Sequence, residues 1–273
     1  MRFLQIDAFT DRPFAGNPAA VFVLAPGDAR ATDAAWMQAV AGEMNLSETA
    51  FATLNAGADP AGSYRLRWFT PAAEVRLCGH ATLATAHALW QDGHIADDAD
   101  AVFHTLSGIL RCRRLADGRI EMDFPARPFT PLLMPDSLAD GLGAAPTTVG
   151  WATDDVMAVF DDAATVRGLR PDIAALARVE ARGVIVTAPG DRDGVDAVSR
   201  FFAPRVGVDE DPVTGSAHCA IGPYWAERLG RTVVACEQAS ERGGTLDVEV
   251  RGARVALRGH AVTVFEGRMV GGV

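Results

Sequence analysis

Two glycine turns decide the fold of this chain: LCGHAT at residues 77–82 and DPVTGSAH at residues 211–218. A Phe-x-Pro triplet lies a short distance upstream of each turn. Each turn leads into a run of small and apolar residues, 80–90 and 216–225, that contains no Lys, Arg, Asp or Glu. A helix that is apolar on every side is normally buried. We therefore expect each half of the protein to fold around one buried helix.

The first turns of these two helices are candidate anion-binding sites. The N-terminal end of a helix has backbone N–H groups without intrahelical partners and carries a partial positive charge. Polar side chains lie at the start of each of the two helices, among them His80 in the first and Ser216 in the second. Two such ends together suit a small anionic ligand.

The composition limits the classes of function. A chain of 273 residues suits one large domain or two ordinary ones, and 49% hydrophobic with 22% charged residues is a globular composition. The net charge is −10 and there is no basic block, which argues against binding to nucleic acid or to a membrane surface. No apolar run approaches the roughly 20 residues of a membrane span.

The four cysteines are Cys78, Cys112, Cys219 and Cys236, and they form neither a C-x-x-C pair nor a zinc-binding spacing. We therefore predict no metal site. The sequence starts with a strand-like segment and not with a charged and then apolar leader. These features predict a protein of the reducing cytoplasm with free thiols.

The remaining pattern predicts an α+β protein with an internal duplication. Apolar and alternating runs predict strands at residues 1–9, 19–24, 64–69, 149–152, 156–160, 183–188, 195–202, 245–251, 254–258 and 261–265, after residues 45–51 and within residues 101–124. Further helices are predicted at residues 31–44 and 171–178. Four prolines within residues 125–135 predict a linker between domains 1–126 and 127–273, and the final strand could pack back on the first domain. Pro223 is expected to kink the second buried helix or to end it early.

Two residues stand out as candidate proton carriers. Glu48 precedes the apolar triplet Ala-Phe-Ala, and a carboxylate at the edge of an apolar strand suits general acid–base work. An exposed loop carboxylate fits the same spacing. His80 directly follows a glycine at a helix start, where it serves either as a proton carrier or as a buried histidine that satisfies backbone groups.

The second turn holds a further carboxylate and two hydroxyls. Asp211 suits either a turn cap or a second catalytic carboxylate, and its neighbours Asp209 and Glu210 leave the choice among the three open. Thr214 and Ser216 suit helix capping and anion binding equally well. His218 lies deeper in its helix, where a structural role is expected.

The two cysteines near the turns are not equivalent. Cys78 precedes its glycine, whereas Cys219 lies about one helical turn inside the second helix, where it suits core packing. A thiol pair that deprotonates a carbon on one face and reprotonates it on the other is therefore not favoured. The signatures G-x-G-x-x-G, H-E-x-x-H and G-x-S-x-G are absent from the sequence.

Four motifs in this chain resemble those of the PhzF family, the phenazine-biosynthesis-like isomerases. They are GNPAAV at residues 16–21, NLSETAF at 45–51, FTP with CGHAT at 69–71 and 78–82, and EDPVTGSAH at 210–218. Each motif alone is weak, but the four occur in family order. Similar stretches at Gln238 and at residues 259–267 extend the resemblance over nearly the whole chain.

The resemblance implies a diaminopimelate-epimerase-like fold with two pseudo-symmetric domains, each a β-barrel-like mixed sheet wrapped around a central helix. It also implies a homodimer, and proton transfer at carbon without a cofactor. The catalytic residues that it implies are Glu48 as the general acid/base with His80, Asp211 and Ser216. Substrate binding is expected at Asn17, Gly79, Thr214 and Gly215.

The function predicted from the sequence is a cofactor-independent isomerase of a small carboxylate-bearing metabolite. Glu48 would move a proton at carbon, while His80 and Asp211 would orient the substrate or relay a proton. An amino- or hydroxy-acid epimerase or racemase on the same fold, with Cys78 as a second base, is one alternative. A non-catalytic small-molecule-binding protein is the other. Arg76 departs from the acidic or neutral residue expected there, and either alters substrate preference or pairs with Glu74.

Overall fold

The computed structural model describes residues 1–55 and 62–271. The chain divides into two compact units: unit 1 comprises Met1–Asp123 with Arg258–Val273, and unit 2 comprises Phe124–Leu257. Within the described ranges, none of the helices combines the length and hydropathy that a bilayer crossing requires. The domain bounds 1–126 and 127–273 stay a prediction.

The described residues form six α-helices and seventeen strands. The helices are α1 (Ala34–Met44), α2 (Gly79–Gln91), α3 (Asp136–Leu142), α4 (Ala163–Gly168), α5 (Ile173–Leu176) and α6 (Gly215–Leu229). The strands are β1 (Arg2–Ala8), β2 (Asn17–Leu24), β3 (Glu48–Leu54), β4 (Tyr64–Phe69), β5 (Glu74–Val75), β6 (Ala101–Thr105), β7 (Gly108–Arg114), β8 (Ile120–Pro125), β9 (Thr130–Pro131), β10 (Thr148–Ala152), β11 (Asp155–Val159), β12 (Val184–Pro189), β13 (Ala197–Phe202), β14 (Val233–Gln238), β15 (Gly244–Arg251), β16 (Arg254–Gly259) and β17 (Ala261–Arg268). This content is α+β, as the sequence predicts.

The sheet of unit 1 mixes parallel and antiparallel pairs. β1 pairs antiparallel with β2 and with the last strand, β17. β2 and β3 are parallel, β3 and β4 antiparallel, β4 and β6 parallel, and β6 and β7 antiparallel. α1 contacts β3 and β4, and Met37 of α1 belongs to one apolar cluster with Phe22, Phe51 and Phe69.

The sheet of unit 2 has the same succession of pairings. β10 and β11 are antiparallel, β11 and β12 parallel, β12 and β13 antiparallel, β13 and β14 parallel, and β14 and β15 antiparallel. α3, α4 and α5 supply Leu138, Val166 and Leu176 to its apolar core.

α2 is buried along almost its whole length, with ten of its thirteen residues buried. It packs against β1, β2, β3 and β17. Its small residues let the strands come close, and its two buried threonines have hydrogen-bond partners. The hydroxyls of Thr82 and Thr85 donate to the carbonyls of Cys78 and Ala81 at 2.5 and 2.7 Å. The buried helix predicted for residues 80–90 therefore exists, one residue longer at each end.

The expectation that α6 ends early at Pro223 is wrong. The helix runs six residues past Pro223 to Leu229, where Gly230 ends it in a left-handed conformation. A proline has no N–H to donate, so it leaves the carbonyl four residues earlier without its helical partner. That carbonyl belongs to Cys219, and the backbone N–H of Arg127 donates to it at 2.9 Å. The segment entering unit 2 thus supplies the bond that the proline removes.

Several short elements of unit 2 differ from the sequence prediction. The helix predicted for residues 171–178 is a single turn, α5, whose first turn is capped by the side chain of Asp172. The sequence pattern does not predict α3, α4 or β14. β9 lies inside the segment that the sequence predicts to be a linker, and it pairs with β10. Helices of one or two turns are fixed by caps and by tertiary packing, so they leave little periodicity in the sequence.

At Gly222, α6 packs against β15 so tightly that no side chain fits between them. A Cβ atom at this position would lie 2.2 Å from Cγ1 of the buried Val248 on β15. Alanine is favoured over glycine by ~1 kcal/mol inside a helix. We nevertheless expect Gly222→Ala to lower the free energy of unfolding by about 1–3 kcal/mol, because overpacking outweighs that preference. Urea denaturation measures the change.

The control for this prediction is Gly168→Ala at the end of α4, where an added Cβ meets nothing within 4 Å. It should leave stability unchanged or slightly raised. Val248→Ala should offset part of the cost of Gly222→Ala when the two are combined. Additive losses in the double variant would contradict the packing argument.

Candidate active site

Glu48 begins β3 and lies beside Ala19 of β2. Its side chain is 17% exposed, so the exposed loop carboxylate that the sequence also allowed is wrong. Asn17, the first residue of β2, is buried and lies two positions before Ala19. Because alternate strand residues share a face, Asn17 and Glu48 lie on the same face of the sheet of unit 1.

His80 lies between Glu48 and Cys78. Its Nε2 is 3.1 Å from Oε2 of Glu48, and its Nδ1 is 3.6 Å from Sγ of Cys78. The contact with Glu48 has the distance of an ion pair but not the alignment of a hydrogen bond. The backbone explains the grouping, since Cys78 is the extended N-cap residue of α2 and Gly79 and His80 are its first two helical residues.

The three groups differ in charge at neutral pH. Burial disfavours the charged form of His80, but the interactions of its imidazole with Cys78 and with Glu48 outweigh burial and raise the pKa of His80 well above 6.5. Burial raises the pKa of Cys78 to about 11; the charge of Glu48 adds to this, and His80 opposes it. The thiol therefore keeps its proton at neutral pH. The protonated imidazole of His80 therefore faces the side chain of Glu48.

Glu48, Cys78 and His80 also have the donor types of a zinc site, and their ligand atoms lie within 4.8 Å of one another. The thiol approaches Nδ1 of the imidazole, however, and the carboxylate approaches Nε2. One ion can bind only one of these two nitrogens, because their lone pairs point away from each other. The arrangement therefore does not suit the chelation of one ion by all three groups.

In unit 2, Gln238 fixes the turn that precedes α6. Its buried amide accepts a hydrogen bond from the N–H of Thr214 at 2.8 Å and donates to the carbonyl of Asp211 at 2.7 Å. The hydroxyl of Thr214, the N-cap residue, donates to the carboxylate of Asp211 instead of capping the helix. Glu210 is separate from this group, since it pairs with Arg200 at 2.7 Å. The turn thus holds Asp211 and Thr214 together and directs Glu210 elsewhere.

Ser216, the second residue of α6, joins a charged group that sequence reasoning missed. Nη2 of Arg182 donates to Oγ of Ser216 at 3.1 Å. The same guanidinium binds Asp155 through Nε at 2.9 Å and through Nη2, and Arg127 adds a contact to Asp155 at 3.3 Å. Burial raises the pKa of Asp155, against the opposing effect of Arg182. Asp155 begins β11 and Arg182 lies two residues before β12, so the two are far apart in sequence and form no motif that a local signal could identify.

The first backbone N–H groups of both buried helices have no hydrogen-bond acceptor among the described residues. Within the described part of the chain, no acceptor contacts the backbone N–H groups of Gly79 and His80 in unit 1, or of Gly215 and Ser216 in unit 2. The anion-binding potential predicted for the two helix starts therefore has a structural basis in each unit.

Other predicted residues have different surroundings. Glu74 pairs with Arg67 at 2.7 Å, so the predicted pairing of Arg76 with Glu74 is wrong. His218 is fully buried; its Nδ1 lies 2.8 Å from the carbonyl of Thr214, and burial lowers its pKa to about 4. It is thus a neutral, structural histidine. An open cavity of about 540 Å³ in unit 2 is lined by Arg182 and six other residues, none of which is a predicted site residue.

Comparison with known proteins places these features in a family. Residues 6–267 match the PhzC-PhzF family, described as phenazine biosynthesis-like protein. An uncharacterized isomerase of Pseudomonas aeruginosa is 50% identical over 271 residues, which is 98% of each chain. A crystal structure of a PhzF family protein from Enterococcus faecalis is 39% identical, with a TM-score of 0.89 over 97% of each chain. A predicted epimerase of P. aeruginosa is 27% identical, with a TM-score of 0.73 over 99% of each chain.

The α+β fold, with its mixed pairings and few helices, is that of the isomerase- and epimerase-like proteins among these structures. The chain belongs to the PhzC-PhzF family of phenazine biosynthesis-like proteins. The sequence resemblance to this family is confirmed. Membership supports an isomerase or epimerase role.

The raised pKa of His80 gives a prediction for Glu48→Gln. Removing the carboxylate charge should lower the pKa of His80, as measured by NMR titration of its imidazole Cε1–H. The pKa of His87, in the same helix, is lowered chiefly by burial and should not change. An unchanged pKa of His80 in the variant would rule out Glu48 as its partner.

The same shift predicts the pH dependence of stability. Above pH about 6.5 the unfolded chain releases the His80 proton, whereas the folded protein keeps it up to its own, higher pKa. The contribution of the ion pair is therefore complete below pH 6.5 and disappears as the pH rises through the folded-state pKa. Urea denaturation of wild type and Glu48→Gln across this range should show a stability difference that shrinks as the pH increases.

Proposed function

We propose that this protein is an isomerase that moves a proton between carbon atoms of a small carboxylate-bearing metabolite, with Glu48 as general acid/base and without a cofactor. The observation that supports it best is the contact of Glu48 with the buried His80 at the first turn of α2. The imidazole of His80 holds the neighbouring carboxylate in one place, where it could accept a proton from a bound substrate. Family membership supports the same class of reaction.

The proposed reaction is proton abstraction and return. Glu48 removes a proton from the activated carbon, which leaves negative charge on the substrate, and then delivers the proton to another carbon. Backbone N–H groups at Gly79 and His80 are suited to stabilise that charge, because they carry the partial positive charge of a helix start. His80 keeps Glu48 in position. No net redox change occurs, so the step needs no oxidant or reductant.

The residues of the second turn have proposed roles in substrate binding. Ser216 and the N–H groups of Gly215 and Ser216 would hold an anionic oxygen of the substrate. Asp211 would orient the substrate or relay a proton, with Thr214 and Gln238 keeping it in place. The repeated strand pairing supports the further proposal that the chain arose by internal duplication.

A two-base epimerase would require Cys78 as a second proton carrier. Its thiol is buried and has a pKa of about 11, so little thiolate exists at neutral pH. We therefore assign the proton transfer to the single carboxylate of Glu48.

Deuterium incorporation tests the proposal. Wild type and Glu48→Gln are incubated in deuterated water with unsaturated, amino and hydroxy carboxylates, and uptake is measured by mass spectrometry. Glutamine keeps the shape of glutamate but cannot act as a base, so exchange should fall by roughly a hundredfold or more. Glu43→Gln, an exposed substitution on α1, is the matched control and should exchange like wild type.

The outcomes separate the candidate functions. Near-normal exchange in Glu48→Gln would refute its role as the base. If the protein binds compounds of the panel, as seen by thermal shift, but exchanges none of them, a binding protein becomes the better interpretation. Incorporation of deuterium with inversion at the same carbon would identify an epimerase.

A further inference from the structure

Arg182 is fixed on several sides in unit 2. The fully buried carboxylate of Asp155 accepts two hydrogen bonds from its guanidinium, and the guanidinium carbon lies 5.3 Å from the ring centre of Phe201. Its Nη2 also donates to Oγ of Ser216 at 3.1 Å. Its side chain remains 35% exposed, so part of the charge is open to solvent.

The bond from Arg182 determines what Ser216 can offer a ligand. A hydroxyl has one hydrogen to donate and lone pairs to accept with. Arg182 occupies the acceptor side of Oγ, which leaves the hydroxyl hydrogen for another partner. A hydrogen bond from a cation also polarises the hydroxyl and makes it a stronger donor.

The surroundings of Ser216 favour an anion as that partner. Ser216 is half-buried, and its N–H and that of Gly215 have no acceptor among the described residues. The guanidinium adds a full positive charge to the partial charge of the helix start. A neutral amide ligand would gain little from this charge.

Asp155 does not require Arg182 as its only cationic partner, because Arg127 contacts the same carboxylate at 3.3 Å. Neutralising a buried carboxylate therefore does not account for the bond to Ser216. That bond connects the charged pair to the first turn of α6, where substrate binding is proposed.

We propose that Arg182 is a positioning residue that orients the hydroxyl of Ser216 as a donor to the carboxylate of the substrate. The substrate accordingly binds as an anion, and its neutral amide analogue binds much more weakly. This inference rests on the proposed function for the role of Ser216, but its test measures binding and does not depend on turnover.

The test follows the backbone amide signals of Gly215 and Ser216 by NMR during titration with crotonate, and separately with the neutral crotonamide. Wild type should bind crotonate and not crotonamide at this place. Arg182→Lys cannot keep both the two-bond contact with Asp155 and the bond to Ser216, so crotonate affinity should fall roughly tenfold or more. Arg178→Lys is the matched control, because Arg178 is exposed and its side chain bonds to the carbonyl of Ala174.

A double-mutant cycle tests whether Arg182 acts through Ser216. Ser216→Ala should weaken crotonate binding as Arg182→Lys does, and the combined variant should lose little more. Ser216→Thr, which keeps a hydroxyl, should restore most of the affinity. Additive losses, or wild-type affinity in Arg182→Lys, would overturn the proposal. So would the absence of crotonate-dependent shifts at these two amides in wild type.

Two further measurements test the inference, one for the case that Arg182→Lys does not fold and one for the stage at which a substrate is known. If Arg182→Lys fails to fold, the Nε–H signal of Arg182 in wild type should respond to crotonate with the same dissociation constant as Ser216, and no response would refute the role. Once a substrate is known, Arg182→Lys should raise KM more than it lowers kcat.

Discussion

The burial of α2 and α6 is the constraint on which the rest of the structure depends. Strands enclose each helix, so neither surface tolerates a charged side chain over the enclosed length. A helix enclosed in this way can offer polar groups to a ligand at its ends. The backbone N–H groups without intrahelical acceptors lie in the first turn. The candidate site residues lie beside these first turns: Glu48 and His80 at α2, and Asp211 and Ser216 at α6.

The two helix starts are supported in different ways. At α2 the support is ionic and local, since the carboxylate at the start of β3 faces a histidine of the first helical turn. At α6 it comes from amide and guanidinium groups distant in sequence, through Gln238 and Arg182. The first arrangement suits a group that gains and loses protons, and the second suits a fixed arrangement of donors. This difference underlies the separate roles proposed for the two turns.

The sequence predicts features that one segment determines by itself. The two buried helices lack charge over ten or more residues, and the turn residues follow directly from the motifs. It does not predict features that depend on distant partners. α6 continues past Pro223 because the backbone N–H of Arg127 donates a hydrogen bond to the carbonyl of Cys219. Glu74 forms its ion pair with Arg67 on the neighbouring strand and not with Arg76, which is closer in sequence. Arg182 and Asp155 come together only through the pairing of β11 with β12.

The four cysteines are free and buried, two of them in each unit: Cys78 and Cys112 in unit 1, and Cys219 and Cys236 in unit 2. Burial raises the pKa of every one of these thiols. A thiol that is protonated and inaccessible reacts with an alkylating reagent only when its surroundings open. Each unit thus contains two thiols whose alkylation reports the unfolding of that unit. The mass pattern of partly labelled molecules distinguishes cooperative unfolding of the whole chain, which adds four labels at once, from independent unfolding of each half, which adds two.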